Sequence, residues 1–153
     1  MAPDQSELEE LLQAGYRYAL ALGHDRHLAE DLLQEACAAI TKRRGPWTKS
    51  YLMTAIRNKF IDHGRRERIV AFVELDVEIE ESAIEELPVD DLESAVSTLR
   101  PAERELLFLS AVEDYSASEI AKLTGRPRGT VLSLIHRAKE KVRQMLRGSV
   151  NRL

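Results

Sequence analysis

Apolar residues recur at spacings of three and four along most of the chain, a pattern that predicts helices and almost no strands. Gly23 is expected to end the first helix, and Arg44-Gly45-Pro46 separates the second from the third. The three predicted helices span residues 5–22, about 27–42 and about 48–66. Their apolar stripes predict an N-terminal bundle of three to four helices.

The C-terminal part predicts a second small helical domain of four helices. A short helix is expected near Ala95 and Leu99, and Pro101 suits the first turn of the next one. The core face predicted for that next helix consists of Leu106, Leu107, Leu109 and Val112. The fold class predicted from the whole pattern is therefore all-α, with two small domains.

Residues 116–143 predict a helix, a glycine turn and a second, basic helix. Ser116 and Glu119 have the spacing of a capping box, and Gly125 tolerates the positive φ of a helix end. The second helix begins near Pro127. Its predicted inner face is Val131, Leu134, Ile135, Ala138, Val142 and Met145, and its outer face is Gly129, Ser133, His136, Arg137 and Glu140. This arrangement predicts a helix-turn-helix that places its second helix in a DNA major groove. The alternative is an ordinary helical hairpin with a solvated basic face.

Charge is strongly segregated along the 153 residues, although the net charge is only −4. Residues 41–73 carry a net charge of +7 and residues 126–153 another +7, whereas residues 74–93 hold ten acidic and no basic side chains. Two basic blocks predict phosphate contacts at two places. The acidic stretch alternates apolar and acidic residues over 74–80, but its charge predicts an extended linker. The predicted division is 1–68, an acidic linker over 69–90, and 91–153.

Composition argues against several other classes of protein. The chain has no apolar run long enough to span a membrane, and its acidic N-terminus is unlike a secretory signal. The single Cys37 fits a reducing cytoplasm, which is the expected location. The four histidines are scattered along the chain, so we predict no metal site, and no cofactor is expected. With no paired nucleophile and base in the sequence, we predict that the chain is not an enzyme.

Several motifs closely resemble bacterial sigma factors of the extracytoplasmic-function (ECF) class. The C-terminal motifs are Leu99-Arg100-Pro101-Ala102-Glu103-Arg104-Glu105-Leu106-Leu107, Glu119-Ile120-Ala121, Gly129-Thr130-Val131 and His136-Arg137-Ala138-Lys139. The N-terminal motifs are Ala29-Glu30-Asp31-Leu32-Leu33-Gln34-Glu35-Ala36, Tyr51-Leu52, Ile56-Arg57-Asn58 and Ile61-Asp62-His63-Gly64-Arg65-Arg66. They occur in the order found in the family, with a linker between them. The resemblance implies a region 2-like domain followed by a region 4-like domain, and a role in stress response.

The resemblance also implies a role for each matched residue. The implied contacts with the β′ clamp helices of core RNA polymerase are Asp31, Leu33, Gln34 and Glu35. The implied contacts with the minus-ten element are Trp47, Lys49, Arg57, Asn58, Lys59, Asp62, Arg65 and Arg66, where Asn58 would capture an unstacked base and Trp47 is either a stacking face or a core anchor. The implied contacts with the minus-thirty-five element are Arg126, Arg128, Gly129, Thr130, Leu132, Ser133, His136, Arg137 and Lys139. Further partners implied are the polymerase β flap and an anti-sigma factor.

Two features depart from the family pattern. Family members usually carry a basic pair where this chain has Leu132 and Leu134, and the loop from Lys42 to Lys49 is a few residues shorter than usual. Leu132 points toward the outer face, where it can pack on a thymine methyl or on a protein. Leu134 lies at the border of the apolar stripe.

Two functions are consistent with the sequence. The first is a transcription initiation factor that binds core RNA polymerase and promoter DNA and helps DNA melting. The second is a sigma-like decoy that sequesters an anti-sigma factor, which Leu132, Leu134 and the short loop favour but the two basic blocks disfavour. A further hypothesis is that the carboxylates of the linker cover the basic faces in the free protein and suppress nonspecific DNA binding.

Overall fold

The computed structural model describes residues 3–68 and 95–151, and every regular element in these ranges is a helix. The helices are α1 (Gln5–Gly23), α2 (Arg26–Arg43), α3 (Lys49–Arg68), α4 (Pro101–Ala111), α5 (Ala117–Thr124) and α6 (Arg128–Asn151). The predicted all-α fold is thus confirmed. The predicted linker, the alternation over 74–80 and the predicted domain start at 91 lie outside the described residues.

Helices α1–α3 pack together and form the first helical unit. The side chains of Asp4 and Asp25 cap α1 and α2 by accepting the backbone N–H groups of Glu7 at 2.8 Å and Leu28 at 3.0 Å. Helix α1 ends at Gly23 as predicted, but the left-handed residue is His24, with φ of 52°. These local caps therefore fix where α1 and α2 begin.

Close packing of the three helices depends on Gly15. A Cβ atom at this position would lie 2.8 Å from Leu52 Cδ2, 3.1 Å from Ile56 Cδ1 and 3.1 Å from Leu33 Cδ1. Each distance is shorter than an ordinary carbon–carbon contact. The missing side chain thus allows α2 and α3 to approach the backbone of α1.

Helices α4–α6 form the second helical unit, preceded by a helical turn over residues 95–97. The buried carboxylate of Glu103 joins both ends of this unit, because it accepts Lys141 Nζ at 2.8 Å and the backbone N–H of Arg100 at 3.1 Å. Val112 was predicted to belong to the core face of α4, and this prediction is wrong. Helix α4 ends at Ala111, so Val112 occupies the C-cap and is 58% exposed.

The helix-turn-helix forms where it was predicted. Glu119 N–H donates to Ser116 Oγ at 3.1 Å and Ser116 N–H to Glu119 Oε1 at 2.9 Å, which closes the capping box, and Gly125 ends α5 with φ of 73°. Pro127 lies just before α6 and accepts the N–H of Val131 at 3.0 Å. Met145 was predicted on the inner face of α6, and this prediction is wrong, because the side chain lies in the C-terminal part of this long helix and is 40% exposed in the described structure.

The two helical units share a continuous hydrophobic core. Tyr18 of α1 is fully buried and stacks on Phe108 of α4, with ring centroids 6.1 Å apart. Next to this stack, the Arg104 guanidinium donates to the backbone carbonyls of Ala21 at 2.5 Å and Leu22 at 3.0 Å, at the C-terminal end of α1. A cation at that end also complements the helix dipole. The described structure is therefore a closed arrangement in which α4 lies against α1.

Candidate nucleic-acid interface

The residues predicted to bind polymerase lie on α2. Asp31 and Gln34 are exposed, whereas Leu33 and Glu35 are half-buried. Glu35 Oε2 lies 2.9 Å from His63 Nε2 on α3, so this contact joins α2 to α3. The acidic edge of α2 is thus accessible to a protein partner.

The residues predicted to contact the minus-ten element lie on α3 and the loop before it. Asn58, Arg65 and Arg66 are exposed, and Lys59 and Asp62 are half-buried. All five residues lie between Asn58 and Arg66 on α3. Trp47 is half-buried and packs against the hydrophobic core of the chain, as in the core-anchor alternative.

Lys49 and Arg57, by contrast, turn toward the second helical unit. Lys49 Nζ forms an ion pair with Glu113 Oε2 and lies 5.9 Å from the centre of the Tyr115 ring. Arg57 Nε donates to Glu105 Oε2 at 3.0 Å. The structure therefore separates the predicted minus-ten contacts into an exposed group and a pair engaged by carboxylates.

The outer face of α6 and the preceding turn are open to solvent. Seven predicted contacts are exposed together, namely Arg128, Gly129, Thr130, Ser133, His136, Arg137 and Lys139. A shallow groove of about 430 Å³ runs beside the start of α6, lined by Pro127, Gly129, Thr130, Ser133, Leu134 and Arg137. Leu132 is 45% exposed on this face, whereas Leu134 is half-buried and packs against the core. Small and basic side chains at the start of an exposed helix suit entry into a major groove.

The carboxylate of Glu105 contacts residues of both helical units. The sequence did not identify it as a site residue. Its side chain is 3% exposed and accepts hydrogen bonds from Tyr18 Oη at 2.6 Å, Arg57 Nε at 3.0 Å and Arg126 Nη1 at 3.1 Å. Burial, and then the adjacent Glu105 charge, raise the pKa of Tyr18 well above its ordinary value. The sequence held one signal, because Glu105 precedes Leu109 by four residues and so shares its helix face.

Other kinds of site receive no support from the described ranges. Within residues 3–68 and 95–151, no group of three or more histidine, cysteine, aspartate or glutamate side chains is placed to hold a metal ion. None of the described helices is long and apolar enough to cross a membrane. Cys37 is half-buried, and burial raises the pKa of its thiol, which lowers its reactivity at neutral pH.

Comparison with known proteins agrees with this geometry. The family model for sigma-70 region 2 matches residues 7–69, and the model for sigma-70 region 4 matches residues 89–142. The ECF RNA polymerase sigma factor SigE of Mycolicibacterium smegmatis is 31% identical over 145 residues, which are 86% of this chain and 56% of SigE. RNA polymerase sigma factor CarQ of Myxococcus xanthus is 33% identical over 133 residues, 78% of this chain and 75% of CarQ.

A solved structure resembles the arrangement of both units. It is the sigma factor RpoE in complex with the anti-sigma factor NepR from Bartonella quintana, with 25% identity and a TM-score of 0.71 over 94% of this chain and 96% of the RpoE chain. The chain spans just over half the length of SigE but nearly all of RpoE. With both sigma-70 regions matched in order, and with CarQ as a relative over most of its length, the chain belongs to the sigma-70 family of RNA polymerase sigma factors, in its ECF class.

Proposed function

We propose that this chain is a promoter-specific transcription initiation factor that acts in the cytoplasm. Helix α2 binds core RNA polymerase, α3 engages the minus-ten element and α6 engages the minus-thirty-five element. The observation that carries the proposal is the exposed outer face of α6, where Arg128, His136 and Arg137 project from a capped helix-turn-helix. A factor of this kind directs the polymerase and has no catalytic group of its own.

The DNA contacts divide by chemistry along α6. Arg128 and Lys139 are suited to phosphates, because a cation attracts the DNA backbone whatever the base sequence. Ser133, His136 and Arg137 are suited to base edges, since they have hydrogen-bonding groups on the exposed side of the helix. Gly129 has nothing within 4 Å of the position its Cβ would occupy, so the first turn of α6 presents bare backbone to a phosphate.

Run-off transcription with purified bacterial core polymerase tests the proposal. Templates selected by sequencing the DNA bound to the reconstituted holoenzyme should yield a transcript with the chain and none without it. Arg137→Ala should reduce the transcript about tenfold, since one good base contact contributes about 1–3 kcal/mol. Arg143→Ala is the matched control, because Arg143 is an exposed arginine on the same helix that donates to Glu140 at 2.9 Å and lies outside the proposed contacts. Equal loss in both variants would contradict base readout by Arg137.

An anti-sigma factor is a further proposed partner, supported by the likeness to RpoE in its complex with NepR. The same likeness keeps the decoy function as a second candidate, and the exposed Leu132 in the middle of the proposed DNA face favours it. The run-off assay separates the two functions. Absence of a transcript from every selected template, together with tight binding of an anti-sigma factor, would establish the decoy.

A further inference from the structure

Two buried carboxylates of α4 form ion pairs at two places along the basic helix of the helix-turn-helix. The side chain of Glu103 is 1% exposed and that of Glu105 is 3% exposed. Glu105 Oε1 accepts a hydrogen bond from Arg126 Nη1 at 3.1 Å, just before α6 begins. Glu103 Oε1 accepts one from Lys141 Nζ at 2.8 Å, near the middle of α6. Helix α6 is therefore joined to α4 by two separate ion pairs.

Further hydrogen bonds within the second unit restrain both ion pairs. The same oxygen of Glu103 accepts the backbone N–H of Arg100 at 3.1 Å, at the start of α4. The backbone N–H of Arg126 donates to Thr124 Oγ1 at 3.4 Å, and that hydroxyl donates to the Ile120 carbonyl at 2.8 Å. A buried polar group that has several partners is held in one position. Each ion pair thus joins α6 to a fixed point of the second unit.

Apolar packing alone defines the direction of α6 less strictly. Val131, Ile135 and Ala138 are buried and share the inner face of this helix. Hydrophobic attraction has no preferred direction, so this stripe decides which face of α6 turns inward. A hydrogen bond, by contrast, requires a donor–acceptor distance of about 3 Å. The two ion pairs therefore restrict how far α6 can rotate in its plane of contact with α4.

The distance between the two ion pairs makes them sensitive to such a rotation. Lys141 lies thirteen residues after Arg128, the first residue of α6, which is about 20 Å along the helix axis. A rotation of about 10° about one end would move the other end by about 3.5 Å, more than the length of a hydrogen bond. The proposed base contacts Ser133, His136 and Arg137 lie between the two ion pairs.

We propose that the Glu103–Lys141 and Glu105–Arg126 ion pairs are made by positioning residues, which set the angle at which α6 enters the major groove. The inference rests on the proposed function, because it requires that α6 reads the minus-thirty-five element. Base contacts depend on an orientation that is held to within about 10–20°. Arg126 is given this role in place of the phosphate contact implied by the resemblance, because its guanidinium is 26% exposed and donates to a buried carboxylate.

Glu103→Gln in the full-length chain, assembled with core polymerase, tests the positioning role. The amide oxygen of glutamine can still accept the N–H of Arg100, but it has no charge to pair with Lys141. The measurement compares the affinity of the holoenzyme for a selected promoter with its affinity for the same promoter carrying a scrambled minus-thirty-five element. We expect the ratio of the two affinities to fall about tenfold, the effect of losing one good base contact. Affinity for the scrambled promoter should stay within about twofold of wild type.

Lys141→Met and the double variant Glu103→Gln/Lys141→Met separate positioning from stability. Lys141→Met alone leaves the buried Glu103 carboxylate without its cation, so the protein should be less stable. The double variant leaves no buried charge unpaired at this place, so stability in urea should return toward wild type. The affinity ratio should stay low in the double variant, because the ion pair is still missing. A ratio that recovers together with stability would show that the pair has only a structural role, which overturns the proposal.

Arg143→Met is the matched control. It removes a cation from the same helix two residues beyond Lys141, but Arg143 is 56% exposed and donates to Glu140 within α6. Its affinity ratio is expected to stay within about twofold of wild type, because an exposed ion pair contributes little. The proposal is overturned if Glu103→Gln lowers the ratio no more than this control does. It is also overturned if Glu103→Gln weakens binding to both promoters equally.

The wild-type holoenzyme separates failure of this inference from failure of the proposed function. If wild type prefers the intact minus-thirty-five element and every variant keeps that preference, the positioning role is rejected and the function stands. Equal wild-type affinity for the two promoters rejects base readout by α6, and the inference with it. Absence of a wild-type run-off transcript as well rejects the proposed function.

Discussion

At the residue scale, two glycines near the turn of the helix-turn-helix have different requirements. Gly125 has a left-handed conformation with φ of 73°, whereas Gly129 lies in α6 with open space around it. We expect Gly125→Ala to lower the free energy of unfolding by about 1 kcal/mol, because a Cβ is strained at positive φ. Thermal or urea unfolding followed by circular dichroism measures the change.

Gly129→Ala is the control for that prediction. It adds the same methyl group in a helix, so stability should stay equal or rise by about 0.5 kcal/mol. A larger loss in Gly129→Ala than in Gly125→Ala would show that backbone strain is not the reason for glycine at 125.

Tyr18 gives a pH dependence whose sign follows from its raised pKa. Because the folded state holds the phenolic proton more tightly, the contribution of Tyr18 to stability is complete below the ordinary tyrosine pKa of about 10. It is lost as pH rises through the higher pKa of the folded state. As pH rises above about 10, stability in urea should fall more steeply for wild type than for Tyr18→Phe. Parallel pH profiles of the two proteins would contradict this assignment.

At the scale of the element, Leu132 interrupts an otherwise polar and basic face of α6. Leu132→Arg adds one cation beside Ser133 and Arg137, so DNA binding by the holoenzyme should tighten at low salt. The slope of log affinity against log salt should steepen by about 0.9. Met145→Arg is the control, because Met145 is a comparably exposed apolar residue on the same helix outside the proposed contacts. A loss of promoter binding specific to Leu132→Arg would instead identify the leucine as a contact.

The helices themselves were predictable because local rules govern them. Residues 5–22 were predicted for α1, which spans Gln5–Gly23, and the Ser116–Glu119 capping box and the Gly125 turn formed as expected. The errors lie at helix ends, where packing decides exposure. Val112 and Met145 fit an apolar stripe, but both are exposed in the part of the chain that the structure describes. Sequence periodicity reports which residues share a face, and it does not report how far the partner helix extends.

At the scale of the whole molecule, the contacts between the units were not predictable from the sequence. Arg57 and Glu105 are 48 residues apart in the chain, and nothing local relates them. The resemblance to sigma factors gave Arg57 a DNA-binding role, which stays a prediction. The structure adds that Arg57 has a competing carboxylate partner. Such contacts are set by the docking of α4 on α1, which depends on the Tyr18–Phe108 stack and on Arg104 at the end of α1.

The burial of Glu105 affects how the contacts of Arg57 respond to ionic strength. Arginine side chains bind DNA at exposed phosphates. This binding weakens steeply with added salt, because it depends on the release of counterions from the DNA. A carboxylate that is 3% exposed is screened far less. Added salt is therefore expected to weaken a contact between Arg57 and a phosphate more than the contact between Arg57 and Glu105.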